Sequence, residues 1–344
     1  MTAEPFQTRT AIDIFSTVTI HGLAFTPDGV AVPVTLNRST SLPSNRTTFG
    51  PHLPCDEQEG WDSLPLPAHG LHLELELGEY LGNGRTSLTY VACVRHVSDS
   101  HGGVHINAPL NASAELCLKL AKPTFCRSLA REAWFYEQLP EDEAYQGIIV
   151  PKCYGLFSAP KNSLSTPTGK DISIRPWEEK GAKLPLRYPE GSLQSKYGDD
   201  LPDDWAYRGF MDDGRRAKID SPWNSWRPNP ESPTVSIFLM ERLGEHYSEA
   251  VFRSHPESRS GLADLIEDLS SAAVMHNDFK FNNVLRAPPN SPTCPRHRKV
   301  HSWRVIDFDR STKWGKSVPS DTEVVTANQR LDFLSSWGFF WGET

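Results

Sequence analysis

The chain has 344 residues, of which 38% are apolar, and a formal charge of −8 from 35 basic and 43 acidic residues. This acidic balance argues against nucleic-acid binding through counterion release, and no apolar run reaches the roughly 18 residues of a membrane-spanning helix. We therefore expect neither nucleic acid nor membrane as a partner. The first ten residues lack the apolar segment of a secretory signal, so we expect an intracellular protein, cytoplasmic or nuclear.

Residues 1–70 are predicted to form an N-terminal extension that is partly disordered. Within it, residues 11–25 alternate apolar and polar side chains, which predicts an added strand or hairpin. Residues 35–68 are rich in Ser, Pro, Asn, Arg and Gly, a composition typical of a loop.

Regular structure is predicted from residue 71 onward. Alternating or continuous apolar runs predict strands at 71–77, 88–94, 115–120 and 234–239, with a further short apolar run at 148–156. Apolar side chains at three- and four-residue spacing predict helices at 127–139 and 260–273. Two short strands, 284–285 and 304–306, flank a basic, proline-rich loop at 287–300.

The interval 157–232 differs in composition from the segments around it. Its 76 residues contain nine prolines and many charges, and a structureless loop of this length is unusual inside a compact domain. We therefore predict an insertion, parts of which dock on the surface through its four tryptophans.

The six cysteines include no C-x-x-C pair. The sequence therefore predicts neither a disulfide framework nor a structural zinc site. Histidines outside the segment that begins at His276 show no H-E-x-x-H or other ligand-spaced cluster, and we expect surface or capping roles for them.

The segment from His276 to Leu285, His-Asn-Asp-Phe-Lys-Phe-Asn-Asn-Val-Leu, carries the strongest chemical signal. Asp278 is suited to orient an acceptor hydroxyl, Lys280 to neutralise phosphate charge, and Asn283 to ligate Mg²⁺ through its amide oxygen. The alternative for this segment alone is a solvated polar loop. Twenty-four residues after Asn283, Asp307 leaves an apolar run and offers a second carboxylate for the same cation.

Two upstream features point to phosphate binding. Gly82 and Gly84 lie between two predicted strands, where glycines let the backbone approach a phosphate, although a tight hairpin turn explains them equally well. Lys119 lies among apolar residues of the third strand and needs an anionic partner, for which Glu132 on the next helix is available. The alternative is a lysine at a sheet edge that extends into water.

In this order the features resemble the eukaryotic-protein-kinase-like superfamily, over residues 71 to about 310. The resemblance implies a glycine-rich loop at Gly82 and Gly84, with Ser87 where the third glycine usually falls. It implies that Lys119 binds the α- and β-phosphates and pairs with Glu132, with Glu137 as the fallback partner. It further implies a gatekeeper at Met240, an adenine-binding hinge from Glu241 to Leu243, and ATP and Mg²⁺ as cofactors.

By the same resemblance, Asp278 is the catalytic base with Lys280 beside it, and Asn283 and Asp307 are the Mg²⁺ ligands. Two departures stand out. Asn277 replaces the arginine of His-Arg-Asp kinases, so a phosphorylated activation loop would find no arginine there. Asp309 replaces the glycine after Phe308, which we expect to stiffen the backbone and disfavour flipping of Phe308.

We therefore predict an α+β, bilobal kinase-like fold with an antiparallel five-stranded N-lobe carrying one helix and an abbreviated, mainly helical C-lobe. The predicted domains are the extension 1–70 and a kinase-like domain 71–344, with its N-lobe at 71–243 and its C-lobe at 244–344. The C-lobe is short because only 37 residues follow Asp307 and no Ala-Pro-Glu motif occurs.

The activity implied is transfer of the γ-phosphoryl of Mg·ATP to a hydroxyl acceptor, with Ser or Thr of a protein as the expected acceptor. Two alternatives stay open. One is a pseudokinase that acts as a nucleotide-binding or scaffolding module. The other is a small-molecule kinase, because short His-x-Asp loops also occur in aminoglycoside and choline kinases.

Overall fold

The computed structural model of the protein describes the chain from residue 10 to residue 331 with gaps. The described residues are 10–43, 62–67, 69–99, 110, 114–164, 169, 171–182, 233–254, 256–313, 323, 326–327 and 329–331.

The described residues form an α+β fold dominated by strands. The strands are β1 (Phe15–Phe25), β2 (Ala31–Arg38), β3 (Leu71–Asn83), β4 (Ser87–Ser98), β5 (Glu115–Ala121), β6 (Cys153–Pro160), β7 (Ser173–Ile174), β8 (Thr234–Glu241), β9 (Val274–Met275), β10 (Val284–Arg286), β11 (Trp303–Val305) and β12 (Thr312–Lys313). The helices are α1 (Cys126–Glu137), α2 (Arg175–Glu179), α3 (Glu249–Ser254) and α4 (Pro256–Ser271).

Seven strands of the large sheet close on themselves in the order β1-β2-β6-β8-β5-β4-β3, with β3 returning to β1 and β7 added beside β1. Five neighbours, β3, β4, β5, β8 and β6, are antiparallel to one another. We expected five antiparallel strands. The large sheet instead has eight strands, and its β1–β3 pairing is parallel. We call the seven-stranded ring the closed sheet.

The strands that close the sheet come from the expected N-terminal extension. β1 pairs with β3 from Phe15 to His21, so the expected domain boundary at residue 70 falls within one hydrogen-bonded sheet. The expected loop at 35–68 was wrong at its start, because β2 continues to Arg38. Pro33 obscures this strand in the sequence. Pro33 is accommodated because the register between β1 and β2 shifts opposite this residue. Its missing N–H therefore removes no hydrogen bond between the two strands.

Alternation along each strand separates two hydrophobic cores. Leu116, Leu118 and Leu120 of β5 face the interior of the closed sheet, together with alternate residues of β1, β3 and β8. Cys117 and Lys119 therefore face outward, toward α1. On that outer side α1 and its buried aromatic residues pack against the sheet and against α4 and the strands that follow it, which form the second core.

The described part of residues 244–344 contains α3, α4 and two small two-stranded sheets, β10–β11 and β9–β12. Among the described residues, no helix is long and apolar enough to cross a membrane.

The predicted insertion begins later than expected and partly packs on the closed sheet. β6 runs to Pro160, past the expected start at 157, because its pairing with β8 continues to Thr234. β7 pairs with β1, and the Trp177 side chain of α2 is buried and donates its Nε1–H to the carbonyl of Ala121 at 2.9 Å. Docking of part of this interval is what we expected of its tryptophans; Trp205, Trp223 and Trp226 lie outside the described residues.

We expect Gly155→Ala to destabilise the protein where β2 meets β6. Gly155 has φ +125°, and a Cβ there would lie 1.5 Å from a terminal nitrogen of Arg38. Arg38 ends β2 opposite Phe157 and donates to the carbonyl of Tyr154 at 2.9 Å. The backbone strain alone is worth about 1–3 kcal/mol of unfolding free energy, and displacement of Arg38 adds to it.

Urea denaturation of the full chain measures this loss. Gly261→Ala in α4 is the matched control, because a Cβ at Gly261 meets no atom within 4 Å and alanine in a helix gains about 0.5–1 kcal/mol over glycine. Equal stability of Gly155→Ala and wild type would contradict the packing described where β2 meets β6.

Candidate active site

A cavity of about 1120 Å³ lies between the closed sheet and the helical part of the chain. Its lining comes from the β3–β4 turn, the outer face of β5, the end of β8 and the segments around β10 and β11. Eleven of the twelve site residues predicted from the sequence line it: Gly82, Gly84, Ser87, Lys119, Met240, Glu241, Leu243, Asp278, Lys280, Asn283 and Asp307. The twelfth, Glu132, lies behind the wall and contacts Lys119.

Lys119 is buried and bridges two carboxylates. Its Nζ lies 2.7 Å from Glu132 Oε1 and 2.9 Å from Asp307 Oδ1. Glu132 is fully buried on α1, whereas the side chain of Asp307 is 33% exposed. Glu137 is not the partner of Lys119, because its carboxylate accepts hydrogen bonds from Ser41 Oγ and the Leu64 N–H instead.

Burial and pairing compete for the charges of this cluster. Burial disfavours the ammonium of Lys119, but the two carboxylates outweigh it and raise the Lys119 pKa. Burial raises the pKa of Glu132 to about 7, an effect that Lys119 only partly offsets. At Asp307 the penalty of burial is outweighed by Lys119, and the pKa is lowered. Lys119 therefore stays charged, with Asp307 as its firmly ionised partner.

Asp278 is held by the two residues predicted to act with it. Lys280 Nζ lies 2.8 Å from Asp278 Oδ2, and Asn283 Nδ2 donates to the Asp278 carbonyl at 2.8 Å and to Oδ2 at 3.2 Å. Asn283 is buried within the one-turn 3₁₀ helix Phe281–Asn283, which fixes its orientation. Because the amide nitrogen faces Asp278, the amide oxygen is left as an acceptor.

His276 joins the Asp278 loop to the segment that ends at Asp307. Its ring is buried, and burial lowers the pKa of His276, which favours the neutral form. In that form Nε2–H donates to the Ile306 carbonyl at 2.8 Å and Nδ1 accepts from the Asp278 N–H at 3.3 Å. The His276 ring thus sets the spacing between Asp278 and Asp307.

Two of the connecting residues have left-handed backbones. Asn277 has φ +58° and Asp307 has φ +73°, in a region that Asn and Asp tolerate better than most residues. Asn277 Nδ2 donates to the Arg310 carbonyl at 3.0 Å, so the residue that departs from the His-Arg-Asp pattern ties the two loops together.

The turn between β3 and β4 is closed by backbone and lysine contacts. The Gly84 N–H donates to the Ser87 carbonyl at 2.9 Å, and Lys122 Nζ donates to the Gly84 carbonyl at 2.6 Å. Arg85, at the tip of this turn, lies with Nη2 at 2.6 Å from Asp309 Oδ2. The glycine turn therefore connects directly to the far wall of the cavity.

The sequence did not predict three side chains that hold this wall. Arg85 and the buried Arg131 both bind the Phe308–Arg310 turn, Arg131 by donating to the carbonyls of Asp309 at 2.5 Å and Ser311 at 2.6 Å. Arg304 contacts Glu241 Oε2 beneath the end of β8. Each of the three arginines binds a partner more than 60 positions away in sequence. Only Arg131 had a local signal, because it directly precedes Glu132.

Phe308 is fixed in the core. It is fully buried, with Tyr136 at 5.3 Å and His276 at 4.9 Å between ring centroids. The Asp309 side chain is also buried, and burial together with nearby Asp307 raises its pKa against the opposing effect of Arg85.

The end of β8 forms the apolar side of the cavity. Met240 is buried, and the Glu241 N–H donates to the Lys152 carbonyl at 2.8 Å, so this N–H is already paired. The Gly244 N–H likewise donates to the Arg286 carbonyl at 2.9 Å. Between them, the N–H of Leu243 has no hydrogen-bond partner in the part of the chain that the structure describes.

Comparison with known proteins gives matches among solved structures only. The chain matches no protein-family model and no curated protein sequence. It is similar to a crystal structure described as the kinase domain of PF14_0431, with 14% identity and a TM-score of 0.35 over 71% of this chain and 52% of that one. The chain thus spans about half the length of that structure, and a likeness at this level assigns no family.

We expect Lys119→Met to destabilise the protein by about 3–5 kcal/mol near pH 8, because it leaves Glu132 and Asp307 without their shared cation. The loss should shrink toward pH 5. Without Lys119 the pKa of Glu132 rises further, so the folded state holds a proton that the unfolded state releases as pH increases, and stability falls across this interval. Urea denaturation at both pH values measures the difference.

The double variant Lys119→Met with Glu132→Gln is the control. It removes the fully buried carboxylate together with its cation, and its loss of stability should vary less with pH. A loss for Lys119→Met that is the same at both pH values would contradict the assigned electrostatics.

Proposed function

We propose that this protein is an ATP-dependent phosphotransferase with a kinase-like fold, which transfers the γ-phosphoryl of Mg·ATP to a hydroxyl acceptor, Ser or Thr of a protein. One observation carries the proposal. A single cavity gathers the Lys119, Glu132 and Asp307 cluster, the Asp278, Lys280 and Asn283 loop and the Gly82–Gly84 turn, three features far apart in the sequence.

The donor set fits Mg²⁺. Asp307 is ionised and partly exposed to the cavity. The amide nitrogen of Asn283 binds Asp278, and its amide oxygen has no hydrogen-bond partner among the described residues. Carboxylate and amide oxygens are the hard ligands that Mg²⁺ prefers. When bound, Mg²⁺ neutralises charge on the nucleotide phosphates; Asp307 and Asn283 are the residues that would hold it.

The opposite side of the cavity fits a nucleobase. Leu81, Cys117, Met240 and Leu285 supply apolar surface, and the unpaired Leu243 N–H supplies a donor at its edge. Adenine offers an apolar ring with acceptor nitrogens, which matches this combination. The Glu241 N–H is excluded from that role, because it is paired with Lys152.

Phosphate groups would lie between the glycine turn and Lys119. A Cβ at Gly82 would meet no atom within 4 Å, so the turn leaves open space above the cavity. Lys119 and Lys280 supply the positive charge at its floor. Such preorganised charge stabilises a transferring phosphoryl group without rearrangement during the reaction.

Asp278 is the residue placed to act on the acceptor. Lys280 and Asn283 fix Oδ2 of its carboxylate, and the His276 ring fixes its backbone. A carboxylate held in this way orients an acceptor hydroxyl and accepts its proton as the O–P bond forms.

We expect Asp278→Asn to lower phosphoryl transfer by about 10²- to 10⁴-fold while ATP binding persists, because the amide keeps the shape of the side chain but cannot accept the proton. Transfer of labelled γ-phosphate from Mg·ATP to protein and small-molecule acceptor panels measures activity, and thermal shift measures binding. Asp171→Asn, at an exposed aspartate outside the cavity, is the matched control and should behave as wild type.

The acceptor panels also separate the remaining candidates. Phosphoryl transfer only to small molecules would identify the protein as a small-molecule kinase and contradict the protein acceptor. ATP-dependent stabilisation of wild type without transfer to any acceptor would contradict the enzyme and leave a nucleotide-binding module. Absence of any effect of ATP would reject the whole proposal.

We expect Asp307→Asn to remove the dependence of ATP binding on Mg²⁺, because it converts the ionised ligand to a neutral one. Isothermal titration with ATP, in the presence of Mg²⁺ and in its absence, measures this. The Lys119 ammonium keeps Glu132 as a partner, so the variant should stay folded. An unchanged response to Mg²⁺ would show that Asp307 is not a ligand.

A further inference from the structure

A second cluster of chemically active side chains lies away from the cavity, between α4 and the loop that joins β10 to β11. Asp268 belongs to α4, and Cys294, His297 and His301 belong to the loop. In sequence the three loop residues have the spacing C-x₂-H-x₃-H. We expected no ligand-spaced cluster, because the sequence contains neither a C-x-x-C pair nor an H-E-x-x-H segment.

The cluster is built by a tight turn. The Cys294 N–H donates to the Lys299 carbonyl at 2.8 Å, and the Arg298 N–H donates to the Cys294 carbonyl at 2.8 Å, with Arg298 at φ +55°. This turn returns His297 toward Cys294, with Sγ and Nδ1 3.8 Å apart. Asp268, Cys294 and His301 are buried.

Four ligand atoms converge on one point. Asp268 Oδ2 lies 3.1 Å from His301 Nε2, 3.3 Å from His297 Nδ1 and 3.4 Å from Cys294 Sγ. One ligand atom from each of the four residues lies within 4.8 Å of the others. Ligands around tetrahedral zinc, at bond lengths of 2.0–2.3 Å, are about 3.3–3.6 Å apart. The three separations from Asp268 Oδ2 therefore lie close to the edges of a zinc coordination tetrahedron, and the 3.8 Å between Cys294 Sγ and His297 Nδ1 is slightly longer.

We propose that Asp268, Cys294, His297 and His301 form a structural zinc site. One thiolate, two imidazoles and one carboxylate make a closed set of four ligands, and mixed sulfur and nitrogen ligands in a tetrahedron select zinc. Thiolate and carboxylate together carry the two negative charges that Zn²⁺ neutralises.

Neighbouring residues orient the ligands as a metal site requires. Arg296 Nε binds the other oxygen of Asp268, Oδ1, at 2.5 Å, which directs Oδ2 into the cluster. The second nitrogen of His297, Nε2, faces Glu267 Oε2 at 3.7 Å and Asp264 Oδ1 at 3.9 Å. Carboxylates beside the distal nitrogen of a ligating histidine fix its orientation and raise its basicity.

The competing interpretation is a network of hydrogen bonds and ion pairs without metal. It requires Asp268 Oδ2 to serve His297, His301 and Cys294 at once. One cation instead gives the four converging ligand atoms a single common partner.

The site lies on the connection between two predicted active-site residues. β10 begins directly after Asn283, and β11 ends two residues before Asp307, so the loop between them links the two residues. Zinc would attach this basic, proline-rich loop to α4. The zinc site would stabilise the fold, and this role is independent of nucleotide binding.

Elemental analysis of the full-length chain, purified without chelators, tests the proposal. We expect about one zinc per chain in wild type and loss of stoichiometric zinc in Cys294→Ser and in His297→Ala. Cys93→Ser is the matched control, because Cys93 lies in β4 and should leave the zinc content unchanged. Stoichiometric zinc that persists in both ligand variants would overturn the assignment.

A measurement on wild type keeps the test decisive if the variants fail to fold. After removal of metal by a chelator, titration with Co²⁺ should give saturable d–d absorption typical of tetrahedral coordination and a thiolate-to-cobalt charge-transfer band. Zinc should abolish both bands and raise the melting temperature. Wild type that contains no zinc and gives no saturable Co²⁺ spectrum would show that the cluster is only a hydrogen-bonded network.

Discussion

The ion cluster of Lys119 is the constraint on which the candidate site depends. An ammonium this deeply buried is tolerated only beside compensating anions, and those anions come from two other parts of the chain, α1 and the segment after β11. The sheet, the helix and the Asp307 segment must therefore dock together in one arrangement. Removal of Lys119 leaves two carboxylates without their shared cation, so the three segments depend on this one ammonium.

Further polar contacts around that cluster hold the surrounding segments together. Arg131 adjoins Glu132 in sequence and donates to the carbonyls of Asp309 and Ser311. His276 spans from the Asp278 loop to Ile306, and Arg85 reaches from the glycine turn to Asp309. Each contact ends on a segment that lines the cavity, so hydrogen bonds fix the geometry of the cavity from several sides.

The parts that could be predicted from the sequence are those determined over short distances. The loop from Asp278 to Asn283 has its chemistry within six residues, and the alternation of residues 71–77 marks a strand without knowledge of its neighbours. The closure of the sheet by β1 and β2 could not be predicted, since the parallel β1–β3 pairing depends on residues some 55 positions apart. Arg85 and Arg304 escaped for the same reason, because their partners are distant in sequence, and so did the contribution of Asp268 to the cluster with Cys294, His297 and His301.

The closed sheet also has a consequence for the order of events during synthesis. β8 lies between β5 and β6, so the ring cannot close until residue 241 has left the ribosome, although β1 and β2 emerge first. Until then the edges of β5 and β6 that later bind β8 offer unpaired backbone groups to other chains. A topology dominated by such distant pairings has high contact order and folds slowly. The nascent chain therefore depends on protection of these edges while the residues between β5 and the end of β8 are synthesised.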